Sequence, residues 1–439
     1  MLLGIWKGDF NMSETKRKEA LDYHSSFPKG KIETKITKPS ETEEQLSLAY
    51  SPWVAEPCKE IHKDVQNVYE YTNKGNLVAV VSNGTAVLGL GDLGPEASKP
   101  VMEGKAVLFK RFAQVDAFDI EIKTTDIEEI IRTVELLEPT FGGINLEDIK
   151  APECFRIEDE LKEKMNIPVF HDDQHGTAII SGAGLVNAVE LTDRKMSEIK
   201  ININGAGASA ISCARLFVTL GANPSNILMC DSKGVIYKGR EGLNKQKEEF
   251  AVETECRTLA DTFKGSDVFI GLSIGNVVSK EMILEMNDNP IVFAMANPDP
   301  EISPEDAHAA RNDIIMATGR TDYPNQVNNV LGFPFIFRGA LDVAATDINE
   351  EMKVAASIAL AKLAKLGAGS EIAKKHNRDT LVYGKDYIVP SPFDPRILVW
   401  ESYAVAKAAI ETGVARKKIN LDEYKARLEE MAGVEPQTF

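Results

Sequence analysis

Short apolar runs closed by glycine, asparagine or proline alternate with stretches of helical spacing along most of the chain. The alternation is most regular from Ile199 onward. Strands are predicted there at 200–204, 226–230, 267–272, 291–296 and 313–317, separated by helix-length segments. That is the βαβ rhythm of a doubly wound parallel sheet. Earlier in the chain, residues 31–37 alternate like an edge strand, and a helical pattern begins at Glu43. Residues 75–82 and 86–90 read as two buried strands around an Asn83-Gly84 turn. Helices are predicted at 125–138 and 153–165, an apolar strand at 167–170, and a small-residue helix at 177–191. A further helix follows at 354–366, and two more at 398–414 and 420–431 after the rigid connector Pro390-Ser-Pro-Phe-Asp-Pro. We find no internal repeat.

Composition narrows the class. The 439 residues are 43% hydrophobic and 27% charged, which excludes collagen-like and disordered chains. A formal net charge of −17 offers no general field for a phosphate backbone or an anionic membrane, so nucleic acid is not an expected partner. The longest uncharged stretches, such as Leu216 to Cys230, contain Gly, Pro and Asn and are too short to span a bilayer. No signal-peptide core forms before Lys7 and Asp9, and Met12 is an alternative start to Met1. The five cysteines are scattered without a C-x-x-C pair, which fits a reducing, cytoplasmic compartment.

Two glycine-rich loops need sorting by context. Gly205-Ala-Gly-Ala-Ser-Ala210 follows the strand 201–204 and opens a helix, and the next strand ends at Asp231, 21 residues past Ala210. This is the dinucleotide pattern: the helix N-terminus meets the pyrophosphate and the acid meets the ribose. Gly205, Gly207, Ala208, Ser209, Ala210 and Asp231 are therefore candidate cofactor residues, with Ser232 and Lys233 beside them. Gly89-Leu-Gly-Asp-Leu-Gly94 is followed by Pro95 and Pro100 rather than a predicted helix, and reads as an active-site turn. Asp231 favours NAD, because a 2′-phosphate would face like charge. Lys233, Lys238 and Arg240 favour NADP.

Carboxylates gather at two places. Glu147 and Asp148 follow the glycine-rich Phe141-Gly-Gly, and Asp172 and Asp173 follow the apolar run ending at Phe170. An all-oxygen ligand set suits Mg²⁺ or Mn²⁺ rather than zinc. Two other readings stand beside it. His171 and His175 have i, i+4 spacing for zinc, and the acids are equally suited to helix caps.

Taken together, seven ordered motifs resemble malic enzyme, in its shorter bacterial form, over nearly the whole chain. They are Ala49-Tyr-Ser-Pro-Trp-Val-Ala-Glu-Pro-Cys58, Gly89–Gly94, Pro100-Val-Met-Glu-Gly-Lys-Ala106, Thr140-Phe-Gly-Gly-Ile-Asn-Leu-Glu-Asp148, Phe170-His-Asp-Asp-Gln-His-Gly-Thr177, Ala296-Asn-Pro298 and Gly319-Arg-Thr-Asp-Tyr-Pro-Asn-Gln-Val-Asn-Asn329. The resemblance implies oxidative decarboxylation of L-malate to pyruvate and CO₂ with NAD or NADP and Mg²⁺ or Mn²⁺. It implies Glu147, Asp148 and Asp173 as metal ligands, with Asp172 behind them. Tyr50 and Lys105 become the acid–base pair, and Asn297 and Asn329 the substrate amides. A buried tyrosine and a surface lysine are the plain alternatives for that pair. The longer eukaryotic enzymes carry a carboxylate-clamping arginine where Ala86 stands here, so asparagine amides, backbone N–H groups and the metal are expected to hold that carboxylate. Malolactic or oxaloacetate-decarboxylating activity on the same site, and a non-catalytic dinucleotide-binding regulator, are the competing functions.

The expected architecture is α/β: an N-terminal substrate and metal domain over 1–175, a Rossmann-type domain over 176–390, and C-terminal helices over 391–439 that pack back on the first. A homodimer is expected, with the Tyr50 segment completing the neighbouring subunit's site.

Overall fold

The computed structural model describes residues 14–439 except 88, 89 and 377, so Met1, Met12 and Gly89 lie outside the described residues. Two parallel sheets organise the chain. The first has the order β2-β1-β3-β4, from β1 (Leu77–Ser82), β2 (Asp116–Glu121), β3 (Gly143–Leu146) and β4 (Val169–His171). All its pairs are parallel. Every residue of β1 is buried, as a strand covered on both faces requires. β2 is an edge strand, and its Asp-Ala-Phe-Asp-Ile-Glu keeps charges where an open edge would otherwise pair.

The second sheet contains β5 (Ile201–Asn204), β6 (Ile227–Asp231), β7 (Gly234–Val235), β8 (Val268–Gly271), β9 (Ile291–Ala294) and β10 (Ile315–Thr318), in the order β10-β9-β8-β5-β6-β7. All but β7 run parallel. The order reverses at β5, so the crevice beyond the ends of β5 and β8 is the place for a ligand.

Three expectations in the N-terminal half are corrected. Residues 31–37 form no strand; their alternation is of charged and β-branched residues with no neighbour strand to pair. Residues 86, 87 and 90 are not strand either. Val87 makes only an isolated bridge to Gly91, and Gly84 O accepts from Leu93 N and Gly94 N instead of closing a hairpin. The glycine loop does run into a helix, Pro95–Ala113. Pro95 sits in the first turn, where its missing N–H costs nothing and its φ is pre-set.

Packing joins the sheets through helices distant in sequence. Phe109 of that helix meets Phe333 and Phe337 with ring centroids 4.9 and 5.3 Å apart. Phe170 of β4 meets Phe337 at 5.7 Å. The Phe333–Asp342 helix thus lies under the first sheet although it follows the second in sequence. At Gly143 an added Cβ would stand 2.9 Å from the Phe337 ring, so β3 has no side chain there. The Arg396–Glu411 helix packs on Phe333–Asp342 and on Glu350–Lys365, and Leu421–Ala432 packs on Arg396–Glu411. Gln114 Nε2 reaches Met431 O at 3.1 Å. One continuous core runs between the sheets, with a smaller cluster around Phe263, Phe269 and Met316. Among the described residues no helix is long and apolar enough to cross a membrane.

Candidate active site

β3 and β4 are neighbours, with Leu146 opposite His171, so the residues that follow them leave the sheet side by side. Glu147 and Asp148 come off β3, and Asp172 and Asp173 open the Asp172–Leu191 helix directly after β4. This register brings the two acidic pairs together. The chain turns at Asp148 through a left-handed φ of 52°, Asp148 N donates to Asp173 Oδ2 at 2.9 Å, and Ala86 N donates to Asp148 O at 3.0 Å. Ligand oxygens of Glu147, Asp148 and Asp173 lie within 4.8 Å of one another.

Lys105 reaches the cluster from the Pro95–Ala113 helix. It occupies the buried stripe that also carries Ser98, Met102 and Phe109, a core position that a lysine tolerates only when paired. Its Nζ donates to Asp172 Oδ2 at 2.6 Å, stands 2.8 Å from Glu147 Oε1 and lies 4.2 Å over the Phe333 ring centroid. It is not a surface lysine. Asn145, missed in the sequence, orients Glu147 through a 2.8 Å bond from Nδ2 to Oε2. Asn329 Nδ2 donates to Asp172 Oδ2 at 2.5 Å, so Asp172 joins Lys105 to Asn329. Gly176, one turn further, leaves the space that Asp172 occupies: an added Cβ would lie 1.9 Å from Asp172 Oδ1.

The electrostatics follow from counting charges. Glu147, Asp148, Asp172 and Asp173 face one lysine. Burial alone would lower the Lys105 pKa, but Asp172, Glu147 and Asp173 outweigh it and hold the amine well above its ordinary value, protonated. Burial pushes Asp172 up to about 6 against the pull of Lys105, and burial with the neighbouring acids raises Glu147. A surplus of buried negative charge lined by oxygens is the environment a hard divalent cation relieves. The three-carboxylate set fits Mg²⁺ or Mn²⁺.

The histidine alternative for zinc fails on direction. His175 Nε2 lies 2.8 Å from Glu158 Oε1, and burial lowers its pKa to about 4. His171 is buried, with Nδ1 3.8 Å from Asp173 Oδ2 and neither ring nitrogen hydrogen-bonded.

The dinucleotide loop borders this cluster. Gly205 has φ 128°, and an added Cβ would meet Leu272 O at 2.5 Å, so only glycine fits between β5 and the loop after β8. Gly207 opens the Ala208–Thr219 helix with free space at its Cβ position. Ser209 Oγ donates to Asp173 O at 2.7 Å, while Ala208 and Ala210 keep the first turn small. Glu301, also missed in the sequence, is fully buried and accepts from Ser273 N at 3.0 Å and Ala296 N at 3.1 Å, fixing the loop opposite. Asp231 accepts from Arg240 Nη2 at 2.6 Å, Lys247 Nζ at 2.7 Å and Lys233 N at 2.9 Å. Burial opposes ionisation, yet Lys247 and Arg240 draw its pKa down to about 2. Lys247 lies too far along the chain to be read as part of this group. Ser232 and Lys233 are exposed.

Two expected residues stay outside the cluster. Tyr50 is 77% exposed, just past the Glu43–Ala49 helix, and no hydrogen bond, ion pair or ring contact among the described residues joins its side chain to Lys105 or the acids. Asn297 is exposed beside Gly319.

Comparison with known proteins shows the family. The N-terminal domain model of malic enzyme matches residues 29–162, and the malic enzyme NAD-binding domain model matches residues 174–373. The chain belongs to the malic enzyme family. It is 58% identical over 419 residues to a probable NADP-dependent malic enzyme of Rickettsia prowazekii, covering 95% of this chain and 55% of the relative. It is 56% identical to an NADP-dependent malic enzyme of Halomonas elongata, covering 92% of this chain and 96% of the relative. The crystal structure of malic enzyme from Pyrococcus horikoshii superposes with a TM-score of 0.85 at 42% identity, covering 95% and 96% of the two chains. This malic-enzyme chain spans about half the length of several curated relatives it matches. One relative named NAD-dependent, from Rhizobium meliloti, and one named a bifunctional malic/malolactic enzyme match at similar identity.

Proposed function

We propose that this chain oxidatively decarboxylates L-malate to pyruvate and CO₂ with NADP as the preferred oxidant and Mg²⁺ or Mn²⁺ as the metal, in the cytoplasm. The observation that carries the reading is Lys105 held between Glu147 and Asp172, beside three clustered carboxylates, with Ser209 of the dinucleotide helix bonded to the backbone carbonyl of Asp173. Glu147, Asp148 and Asp173 would hold the cation, which when bound would polarise substrate oxygens and serve as an electron sink, and a dinucleotide held at Gly205–Ala210 would supply the hydride acceptor. Cation binding at Glu147 would relieve the field that holds the Lys105 amine protonated, and the neutral amine would accept the proton of the C2 hydroxyl. Asp172 fixes both the amine and Asn329, one of the substrate amides; Asn297 is the other. With Ala86 in the place of an arginine, these amides and backbone N–H groups hold the far carboxylate. Asp173→Asn is expected to raise the Mn²⁺ concentration for half-maximal activity by about 10-fold or more, since a ligand charge is lost. An unchanged Mn²⁺ requirement would contradict the ligand set.

Within this reading the substrate and metal domain is 1–175, the dinucleotide domain 176–390, and the closing helices 391–439. The Phe333–Asp342 helix belongs by sequence to the second and by packing to the first.

Geometry at Asp231 supports NADP over NAD. A carboxylate engaged by Arg240 and Lys247 has no surplus charge to repel a 2′-phosphate, and Lys233 adds a third cation. Wild type is expected to show a higher kcat/KM with NADP. In Lys233→Ala combined with Lys247→Met, the NADP value should fall about 10-fold or more with little change for NAD, as for loss of a charged hydrogen bond. A double variant that keeps the preference would refute the assignment.

Exposure of Tyr50 supports a homodimer with shared sites. Leu46, Leu48, Tyr50 and Trp53 are all exposed on one short segment, an apolar patch suited to a second copy. In that arrangement Tyr50 of one subunit protonates C3 of the enolate in the other's site. Tyr50→Phe and Lys105→Ala would each be nearly inactive alone. Dissociated and reassociated together, they should recover about a quarter of wild-type activity, because half the dimers are mixed and each holds one intact site. No recovery on mixing would place Tyr50 and Lys105 in the same chain's site.

A further inference from the structure

The acids of the site sit on the first turn of the Asp172–Leu191 helix, and the back of that turn is held by a residue with no part in the chemistry. Glu158, from the Glu153–Lys164 helix, is 3% exposed. Its carboxylate accepts from Gln174 Nε2 at 2.9 Å and meets His175 Nε2 at 2.8 Å and Lys162 Nζ at 3.1 Å. Gln174 and His175 are the two residues after Asp173. Lys353 Nζ stands 3.3 Å from His175 Nδ1 and donates to Glu350. On the other side Ser212 Oγ of the dinucleotide helix donates to Gln174 Oε1 at 3.4 Å. Two helices therefore meet on one buried anion, and two more brace its partners Gln174 and His175. A carboxylate so buried is tolerated only when its lone pairs are filled, and here two of the three donors belong to the turn that carries Asp172 and Asp173.

We propose that Glu158 is a positioning residue: by fixing Gln174 and His175 it sets the direction of Asp172 and Asp173, and so the metal affinity of the site. The inference rests on the metal reading above. A residue serving only the fold would lower Tm when replaced and leave Mn²⁺ binding by the folded protein unchanged. The outer partners of metal ligands, by contrast, typically change metal affinity about 10–100-fold.

The test is Mn²⁺ binding to the cofactor-free full chain, followed by the electron paramagnetic resonance of free Mn²⁺, with Tm measured alongside. Glu158→Gln turns an amide toward two donors and should weaken Mn²⁺ binding by about 10–100-fold, with NADP binding unchanged. Should that variant not fold, Gln174→Leu decides, because it leaves Glu158 bonded to His175 and Lys162; about 10-fold weaker binding is expected. Folded variants that bind Mn²⁺ as tightly as wild type overturn the proposal. If Asp173→Asn also binds Mn²⁺ as tightly as wild type, the metal reading itself falls, and this inference with it.

Discussion

Lys105→Ala is expected to lower kcat with malate by about 10²–10⁴-fold, the usual contribution of a positioned proton-transfer group. The lysine is buried against Asp172 and Glu147, so its removal also leaves two acids without their cation. Removing one partner of a buried ion pair commonly costs about 3–5 kcal/mol. The metal-free variant should therefore melt well below wild type, and Mn²⁺ should restore much of the loss by replacing the missing charge. Mn²⁺ affinity is not expected to fall, since the amine competes with the cation for Glu147. Steady-state kinetics, calorimetry and Mn²⁺ titration separate these effects. Near-normal turnover would remove Lys105 from the chemistry.

Gly176→Ala sets two effects of opposite sign against each other. Helix propensity alone predicts a gain of about 1 kcal/mol for alanine over glycine in a helix interior. The added methyl would stand 1.9 Å from Asp172 Oδ1 and 3.0 Å from Asn329 Cβ. A carboxylate overlapped to that degree must turn away, and its bonds to Lys105 and Asn329 go with it. Displacement of reacting groups by about 1 Å is enough for a loss of about 100-fold in kcat. The clash decides: we expect at least that loss, with a lowered Tm. A variant with raised Tm and full activity would show that Asp172 does not need its observed position.

The second sheet was legible because its strands are buried runs closed by breakers, and β5, β6, β8, β9 and β10 fall where periodicity places them. The acidic cluster was legible because the two pairs flank apolar strands, and strand pairing then brings them together. The N-terminal half was harder for physical reasons. β2 is a charged edge strand whose alternation is too polar to mark a core face. The Pro95–Ala113 helix begins with the residue usually taken as a breaker, and 31–37 alternates without a partner. The Asp231 partner Lys247 and the loop anchor Glu301 act across many residues, and no local pattern marks either. Lys105 was located by its motif, while its charge state depends on Asp172 and Glu147, which only the fold brings to it.

The metal-dependent decarboxylating dehydrogenase site proposed above combines these carboxylates with Lys105. Its most direct test is the stoichiometry of products from L-malate with NADP and Mn²⁺. The account predicts pyruvate, CO₂ and reduced cofactor in equal amounts, with all three abolished by chelation and restored by added Mn²⁺. Pyruvate and CO₂ formed without metal, or reduced cofactor accumulating with oxaloacetate and no CO₂, would contradict it.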